Sequence, residues 1–211
     1  MISPSNLRRA MLTLALLLLA PAPAALAQGA RARDPQAEQF VQVQAQRIIT
    51  TLANRKLPEA EKRRVFRQAV DEAADVPKIT GFVLGKYART LTPDQRQRFA
   101  IAFREYANNV YERRISDYKG EILKVTGSTQ RKPGDVVVFT LITGGQVRQP
   151  VPVAWRVLGG PAGWKVVDVQ FKGVWLAITQ QQDFVSTIDN AAGNVDVLIA
   201  QLNRPTAPAR R

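Results

Sequence analysis

The sequence predicts a mixed α+β fold in which a helical N-terminal half packs on a four-stranded antiparallel meander sheet. Apolar residues recur at helical spacing from residue 35 to about residue 116, alternate as in strands between about 119 and 172, and return to helical spacing from about 176. Short turns rich in Gly and Pro separate the strand segments, and connections of this length join antiparallel neighbours.

The first 27 residues predict a cleaved export signal. Arg8 and Arg9 precede an apolar run, Ala10 to Ala20, and Ala25-Leu26-Ala27 supplies the small-x-small pattern of a signal peptidase site. The run is shorter than the roughly 20 residues that a membrane-spanning helix needs, so a retained anchor is the weaker alternative. Gln28 follows the cut, where a lipid-anchored protein would carry Cys. We therefore expect a soluble exported protein that begins near Gln28.

Composition excludes several classes of site. The chain has no Cys and no His, which removes disulfides, Ser-His-Asp and Cys-His nucleophilic sites, and zinc sites built on those residues. Loss of Arg8 and Arg9 with the signal lowers the formal net charge from +13 to +11. The basic clusters lack interleaved aromatics, so we expect anionic lipid or acidic proteins as partners and no nucleic acid. We expect no metal and no cofactor.

The basic clusters are also candidate partner-docking surfaces, with plain solubility charge as the alternative. They lie on the second and fourth predicted helices and are Lys62-Arg63-Arg64 with Arg67, Arg96 with Arg98, and Arg113-Arg114.

Start signals place the helices. The first helix spans Pro35 to Arg55, and Pro58 and Pro77 fit the first turns of the second and third. Thr92-Pro93-Asp94-Gln95 is a capping box, which predicts a fourth helix to about Ser116. Two further helices are expected at about 176–190 and, after a break at Gly193, to Leu202.

The strands are predicted at about 119–129, 135–143, 146–158 and 163–172. A two-residue turn at Gly144-Gly145 would place Val138 opposite Val151 and Val136 opposite Val153.

For the last pair of strands, the apolar pattern favours Trp155 opposite Val167 and Val153 opposite Val169, because a one-residue slip would turn Asp168 and Gln170 to the apolar face. One sheet face then collects Val136, Val138, Ile142, Val147, Val151, Val153, Trp155, Val157, Val167, Val169 and Phe171.

The motifs of the C-terminal block resemble the MlaC family of periplasmic phospholipid-binding proteins, also described as toluene-tolerance proteins. They are Gly163-Trp164-Lys165-Val166-Val167-Asp168-Val169, Phe171-Lys172-Gly173-Val174, Phe184, and Gly193-Asn194-Val195-Asp196-Val197-Leu198-Ile199 with Leu202. Phe82 to Tyr87, Thr92-Pro93, Phe99, Phe103 and Tyr111 to Tyr118 resemble the family's helical half. Departures at Ala88, Gln181 or Gln182, and Ala192 would resize a pocket.

The resemblance covers roughly residues 35 to 203 and implies one lipid-binding domain over 28–203, followed by a flexible tail at 204–211. It implies a nuclear-transport-factor-2-like sheet that packs with helices around an apolar cavity for acyl chains. It further implies a periplasmic monomer without enzymatic activity. Such a protein ferries phospholipid between an outer-membrane lipoprotein complex and an inner-membrane MCE-ring ABC transporter. A hopanoid-associated branch of the family leaves another hydrophobic ligand open.

The predicted lipid-binding residues are those where helix stripes and the sheet face should meet, with ordinary core as the alternative for each. They are Phe82, Val83, Tyr87, Phe103, Tyr106, Val110, Val153, Trp155, Val167, Val169, Phe171 and Val174. Arg156 and Lys165 could meet a phosphate, although surface charge is the alternative for both.

Two other functions remain open from sequence. One is a periplasmic scaffold or interaction domain with a fully packed core. The other is an enzyme that uses a carboxylate such as Asp168 as a base, against which stands the predicted position of Asp168 on the less apolar sheet face.

Overall fold

The computed structural model describes residues 32–115 and 118–204, without the side chains of residues 111–115. The predicted signal peptide, residues 205–211 of the predicted tail, and the Arg113-Arg114 cluster lie outside that description. The helices are α1 (Pro35–Ala53), α2 (Glu59–Ala73), α3 (Val76–Val83), α4 (Pro93–Ile115), α5 (Leu176–Asn190) and α6 (Val195–Leu202), with a 3₁₀ turn at Gly85–Arg89. The strands are β1 (Glu121–Lys132), β2 (Asp135–Gly144), β3 (Val151–Gly160), β4 (Gly163–Phe171) and β5 (Val174–Trp175).

Polar side chains cap α1, α3, α4 and α6, whereas α2 and α5 begin without a side-chain cap bond. Pro58, expected in the first turn of the second helix, is instead the residue just before α2. The capping box of α4 is reciprocal, since the Thr92 hydroxyl accepts from the Gln95 amide at 3.1 Å and the Gln95 side chain accepts from the Thr92 amide at 3.2 Å. Asp34 caps α1, Asp75 caps α3, and Asn194 caps α6. Each cap satisfies an amide that the helix itself leaves unpaired.

The sheet has five strands in the order β1 to β5, where the sequence predicts four. The extra strand, β5, follows a two-residue turn at Lys172-Gly173 and pairs with the end of β4. Ala74 bridges to Val166 on β4, outside the stretch that β5 pairs with. Short segments therefore cover the edge of β4 in two places, which shortens its open edge.

The predicted register of β2 and β3 is wrong by four residues. Val138 lies opposite Trp155, and Val136 lies opposite Val157. The error arises because β3 begins at Val151 rather than at 146, so the connection is longer than the predicted two-residue turn. A slip by an even number of residues keeps every side chain on its face, so the apolar pattern alone does not detect it.

The predicted register of β3 and β4 is also wrong. Trp155 lies opposite Val169, and a register shift after Arg156 places Val157 opposite Val166 rather than Val167. Such a bulge interrupts the alternation of side chains. It explains why Val166 joins the apolar face, contrary to the prediction.

Buried apolar residues of the described chain form two clusters that draw on different elements. The helical cluster comes from α3 to α6 and the segments between them and comprises Val83, Leu84, Leu91, Phe99, Ala102, Phe103, Ala177, Phe184, Ile188, Val195, Leu198, Ile199 and Leu202. The sheet cluster packs α1 on the sheet and comprises Ala37, Val41, Val136, Val138 and Val157. Helix α2 belongs to neither cluster, but it packs against α1, α4 and β4 and so lies between them.

Ala192→Gly is expected to stabilise the protein by about 1 kcal/mol, because Ala192 has a φ of +55°, a left-handed conformation that costs an L-residue with a side chain. Ala192 and Gly193 end α5, and the Gly193 amide donates to the Ile188 carbonyl at 2.9 Å. Denaturant unfolding measures the gain. Ala191→Gly is the matched control and should give no gain, since Ala191 has a φ of −97°. A loss of stability in Ala192→Gly would contradict the argument.

Candidate functional site

Four aromatic rings fill the centre of the helical cluster. Phe184 of α5 makes edge contacts with Phe99, Phe103 and Tyr106 of α4, with ring centroids 5.9, 5.8 and 6.3 Å apart. Phe99 and Phe103 stack at 5.8 Å. Burial raises the pKa of the Tyr106 phenol above its ordinary value. Helices α4 and α5 are therefore held together by direct ring contacts.

The apolar sheet face changes in burial along its length. Val136, Val138 and Val157 are fully buried beneath α1. Farther along the same face Val153 is still buried, but most of the other apolar residues are only half-buried. The half-buried residues are Ile142, Val151, Trp155, Val169 and Phe171. Helix α1 thus covers one end of the face and leaves apolar surface at the other.

Helix α1 shows the same change. Ala37, Val41 and Ala45 in its first half are buried. Three apolar residues in its second half, and three more on α2, are half-buried. They are Ile48, Ile49 and Leu52 on α1, with Val65, Phe66 and Val70 on α2.

We use the name seam for half-buried apolar residues of α1, α2, α4 and the apolar sheet face that are not among the buried members of either cluster. The seam comprises Ile48, Ile49, Leu52, Val65, Phe66, Val70, Tyr106, Ile142, Val151, Trp155, Val169 and Phe171. Trp155 is held in place within it, because its indole Nε1 donates to the Thr140 hydroxyl at 2.9 Å. Thr140 in turn donates to the Val153 carbonyl at 3.0 Å.

Arg156 and Lys165, the two candidate phosphate ligands from the sequence, bind other groups of the protein. Arg156 donates to both carboxylate oxygens of Asp135, at 3.1 and 2.9 Å. The Arg156 hydrogen bonds hold the pKa of the buried Asp135 carboxyl below its ordinary value. Lys165 donates to the Glu72 carbonyl at the end of α2. The arrangement assigns both cations to structural contacts.

Asp168 acts as an anchor for α5. One carboxylate oxygen accepts from the Val169 amide and from the Ala177 amide in the first turn of α5, each at 2.8 Å. Burial raises the pKa of the Asp168 carboxyl. These backbone contacts account for a buried carboxylate without any reacting group.

Asp168→Asn is expected to be at least as stable as wild type at neutral pH, whereas Asp168→Ala should lose about 1–3 kcal/mol. Asn keeps the accepting oxygen and removes the buried charge. The raised pKa of Asp168 means that the folded protein holds this proton more tightly than the unfolded chain does. The free energy of unfolding therefore falls as pH rises from the unfolded-state pKa through the folded-state pKa, and the loss of stability stays constant above that pH. Unfolding measured against pH should therefore show the advantage of Asn vanish in acid. Equal losses in both variants would contradict this reasoning.

The candidate docking surface on α2 is a groove of mixed charge. Its lining comprises Ala60, Arg63, Arg64, Arg67, Gln68, Asp71 and Glu72. Arg64 pairs with Glu61 at 2.6 Å, and Asp71 pairs with Arg104 of α4. On α4, Arg98 contacts Asp94 and Asp196, each at 2.7 Å. Intramolecular pairs thus occupy much of both basic clusters, and docking there stays a prediction.

The predicted lipid-binding residues do not form one contiguous set. Val83 and Phe103 are buried in the helical cluster, Tyr87 and Tyr106 pack against it, and Val153 and Val167 are buried at the sheet. Trp155, Val169 and Phe171 belong to the seam. Three expected interior residues lie at the surface instead, namely Phe82, Val110 and Val174, with exposed fractions of 40%, 38% and 49%.

The sequence prediction missed the contributions of α1 and α2 to the seam. The apolar stripe of α1 was visible in the sequence, but its division into buried and half-buried halves depends on how far the helix lies over the sheet.

No helix within 32–115 or 118–204 has the length and apolar character needed to cross a bilayer.

Comparison with known proteins identifies relatives for most of the chain. A family model described as "MlaC protein" matches residues 42–204. Among solved structures, a phospholipid-binding protein from Ralstonia solanacearum, determined in complex with a phospholipid, matches with a TM-score of 0.71 and 22% sequence identity. The alignment covers 80% of this chain and 95% of that one. At this identity the structural match supports the mixed helix-and-sheet fold.

Proposed function

Because this chain belongs to the MlaC family, we propose that it is a phospholipid carrier that holds acyl chains in the seam and catalyses no reaction. The observation that carries the proposal is the set of half-buried apolar side chains on α1, α2, α4 and the sheet, beside two fully buried clusters. The Ralstonia relative, solved with a phospholipid bound, supports the same ligand class.

The energetics of lipid transfer explain why a carrier would use such a seam. Each methylene moved from hydrocarbon into water costs about 0.8 kcal/mol, so exposing two long chains costs on the order of 25 kcal/mol. A carrier must replace the bilayer with comparable apolar contact. Val169 and Phe171 on the sheet and Phe66 and Val70 on α2 supply such contact and need no reactive group.

The two buried clusters are poorer candidates for the acyl chains. Ring contacts near 5.8 Å between Phe99, Phe103 and Phe184 occupy the helical cluster. Helix α1 seals the other end of the sheet face at Val138 and Val157. We propose that the predicted lipid-binding residues have three roles. The fully buried members of that set support the seam, and the exposed members lie near an entrance. Tyr106, Trp155, Val169 and Phe171 contact the acyl chains.

We also propose a cellular setting. The export signal predicted at residues 1–27 supports a periplasmic location, where a monomer would exchange phospholipid with an outer-membrane lipoprotein complex and an inner-membrane MCE-ring ABC transporter. These partners come from the family resemblance. A hopanoid-type ligand would fit the same apolar seam and is the second candidate.

Native mass spectrometry of the exported protein tests the proposal. We expect mass increments equal to bound phospholipid, with matching lipid phosphorus after extraction into organic solvent. A phosphorus-free extract would favour a hopanoid-type ligand. A protein that emerges without any extractable lipid from a membrane-containing host, and takes up none from vesicles, would contradict the carrier and favour a packed scaffold.

A further inference from the structure

Three exposed large apolar side chains come from elements that meet at one place on the surface. They are Phe82 on α3, Val174 on β5 and Ile178 on α5, with exposed fractions of 40%, 49% and 41%. Neither buried cluster includes them. Their proximity follows from the contacts between the elements that carry them.

The contact between α3 and α5 places Phe82 and Ile178 near each other. The Gln181 side chain donates to the Phe82 carbonyl, and Ile178 lies one turn before Gln181 on the same face of α5. A Cβ placed on Gly85 would lie 2.8 Å from Val185, so the two segments run side by side in the same direction. Ile178 therefore lies beside the turn of α3 that ends at Phe82.

The β4–β5 hairpin supplies the third apolar residue and a cation. Val174 pairs with Phe171 across the two-residue turn and stands two residues before the start of α5. The turn residue Lys172 is exposed, has a φ of +50°, and holds its ammonium 5.6 Å from the centroid of the Phe171 ring. The two-residue turn imposes this left-handed conformation, which Gly would adopt without strain.

A second cation lies close to Phe82 in the sequence of α3. Lys78 is exposed and lies one turn before Phe82 on α3, where it pairs loosely with Asp75 at 3.4 Å. We call Phe82, Val174, Ile178 and Lys172 the hairpin patch. An exposed aromatic and two aliphatic side chains with lysines at the border match the composition of surfaces that insert into the interface of an anionic bilayer.

We propose that the hairpin patch is a membrane-docking surface that seats the protein on anionic lipid. The choice of a bilayer over a protein partner follows from charge, since the formal net charge is +11 once Arg8 and Arg9 leave with the predicted signal, and the bordering groups Lys78 and Lys172 are cationic. The inference rests on the proposed carrier function, because docking here would bring Phe171, a seam residue next to the hairpin tip, close to the bilayer surface. Lipid could then pass between bilayer and seam over a short distance.

Vesicle partitioning of the exported protein tests the docking surface with two variants. Ile178→Ser should lower the partition coefficient onto phosphatidylcholine vesicles containing phosphatidylglycerol about ten-fold, and Lys172→Gly about five-fold. Lys172→Gly also relieves the left-handed backbone, so misfolding would not explain its loss. Binding of wild type should weaken with salt and on vesicles of phosphatidylcholine alone.

Matched controls remove a similar side chain elsewhere. Ile101→Ser, on an α4 residue that is 59% exposed, and Lys124→Ser, at an exposed position on β1, should leave partitioning unchanged. Partitioning of Ile178→Ser and Lys172→Gly equal to wild type would overturn the docking surface, as would a wild type that ignores anionic vesicles. The two patch variants could instead lose binding to a purified membrane-protein partner while their vesicle binding stays at the wild-type level. That result would assign the patch to a protein interface and overturn the proposal.

The lipid content of each purified protein separates this inference from the carrier function. If docking alone depends on the patch, Ile178→Ser and Lys172→Gly should retain extractable phospholipid at the wild-type ratio. A wild type without extractable lipid that still binds vesicles through the patch would contradict the carrier function and leave the docking surface standing.

Discussion

Phe184→Ala should destabilise the protein by about 3–5 kcal/mol, the usual cost of removing a buried aromatic side chain. Phe184 is only 3% exposed, and its ring contacts those of Phe99, Phe103 and Tyr106. The three contacting rings all belong to α4, and the structure around such a vacated space relaxes only in part. The cavity cost therefore adds to the lost burial.

Denaturant unfolding of the exported protein, followed by circular dichroism, measures this loss. Phe139→Ala is the matched control and should cost about 1 kcal/mol or less, since Phe139 lies 42% exposed on the sheet. Similar losses in the two variants would show that the ring contacts do not hold α4 and α5 together. A loss confined to Phe184→Ala would support the helical cluster as the stable part of the fold.

The helices could be predicted from the sequence because their signals are local. Thr92 and Gln95 form their capping box within four residues, and Pro35 and Pro93 open helices in the first turn as expected. The C-terminal helices begin and end where the change of period indicates. Hydrogen bonds of this kind need no knowledge of the rest of the chain.

The strand registers could not be predicted because they depend on distant residues. The connection before Val151 is longer than the Gly144-Gly145 turn indicates, and the resulting four-residue shift preserves both faces. The bulge after Arg156 is likewise invisible in the alternation. An ion pair offers a physical reason for the observed pairing, since Arg156 reaches Asp135 across β2 and β3 in this register.

The candidate site was predictable only in part, for the same reason. Apolar periodicity identifies which residues point inward, so Trp155, Val169 and Phe171 were candidates from sequence alone. Whether an inward residue is fully covered depends on the length and placement of α1 and α2, and this separates the buried Val157 from the half-buried Val169. Partial burial of apolar side chains is the feature that sequence cannot supply.

Val169→Glu is the substitution expected to affect lipid content most. Val169 is half-buried in the seam, opposite Trp155 on the neighbouring strand, so a carboxylate there would face hydrocarbon if acyl chains occupy the seam. An ionised group in an apolar environment costs several kcal/mol, which exceeds the energy of the few methylene contacts it replaces. We expect extractable phospholipid to fall at least ten-fold, while the protein is still exported and folded.

The fold should survive this change because Val169 is only half-buried, and circular dichroism can verify it. Ile122→Glu is the matched control, because Ile122 is a β1 residue that is 60% exposed and should retain lipid at the wild-type ratio. Val169→Leu provides a second comparison, since it keeps the apolar surface and should keep the lipid. Full lipid content in a folded Val169→Glu protein would remove Val169 from the site and move the acyl chains away from this end of the sheet. Loss of lipid in both Glu variants would point to a general effect of added negative charge on a basic carrier rather than to the seam.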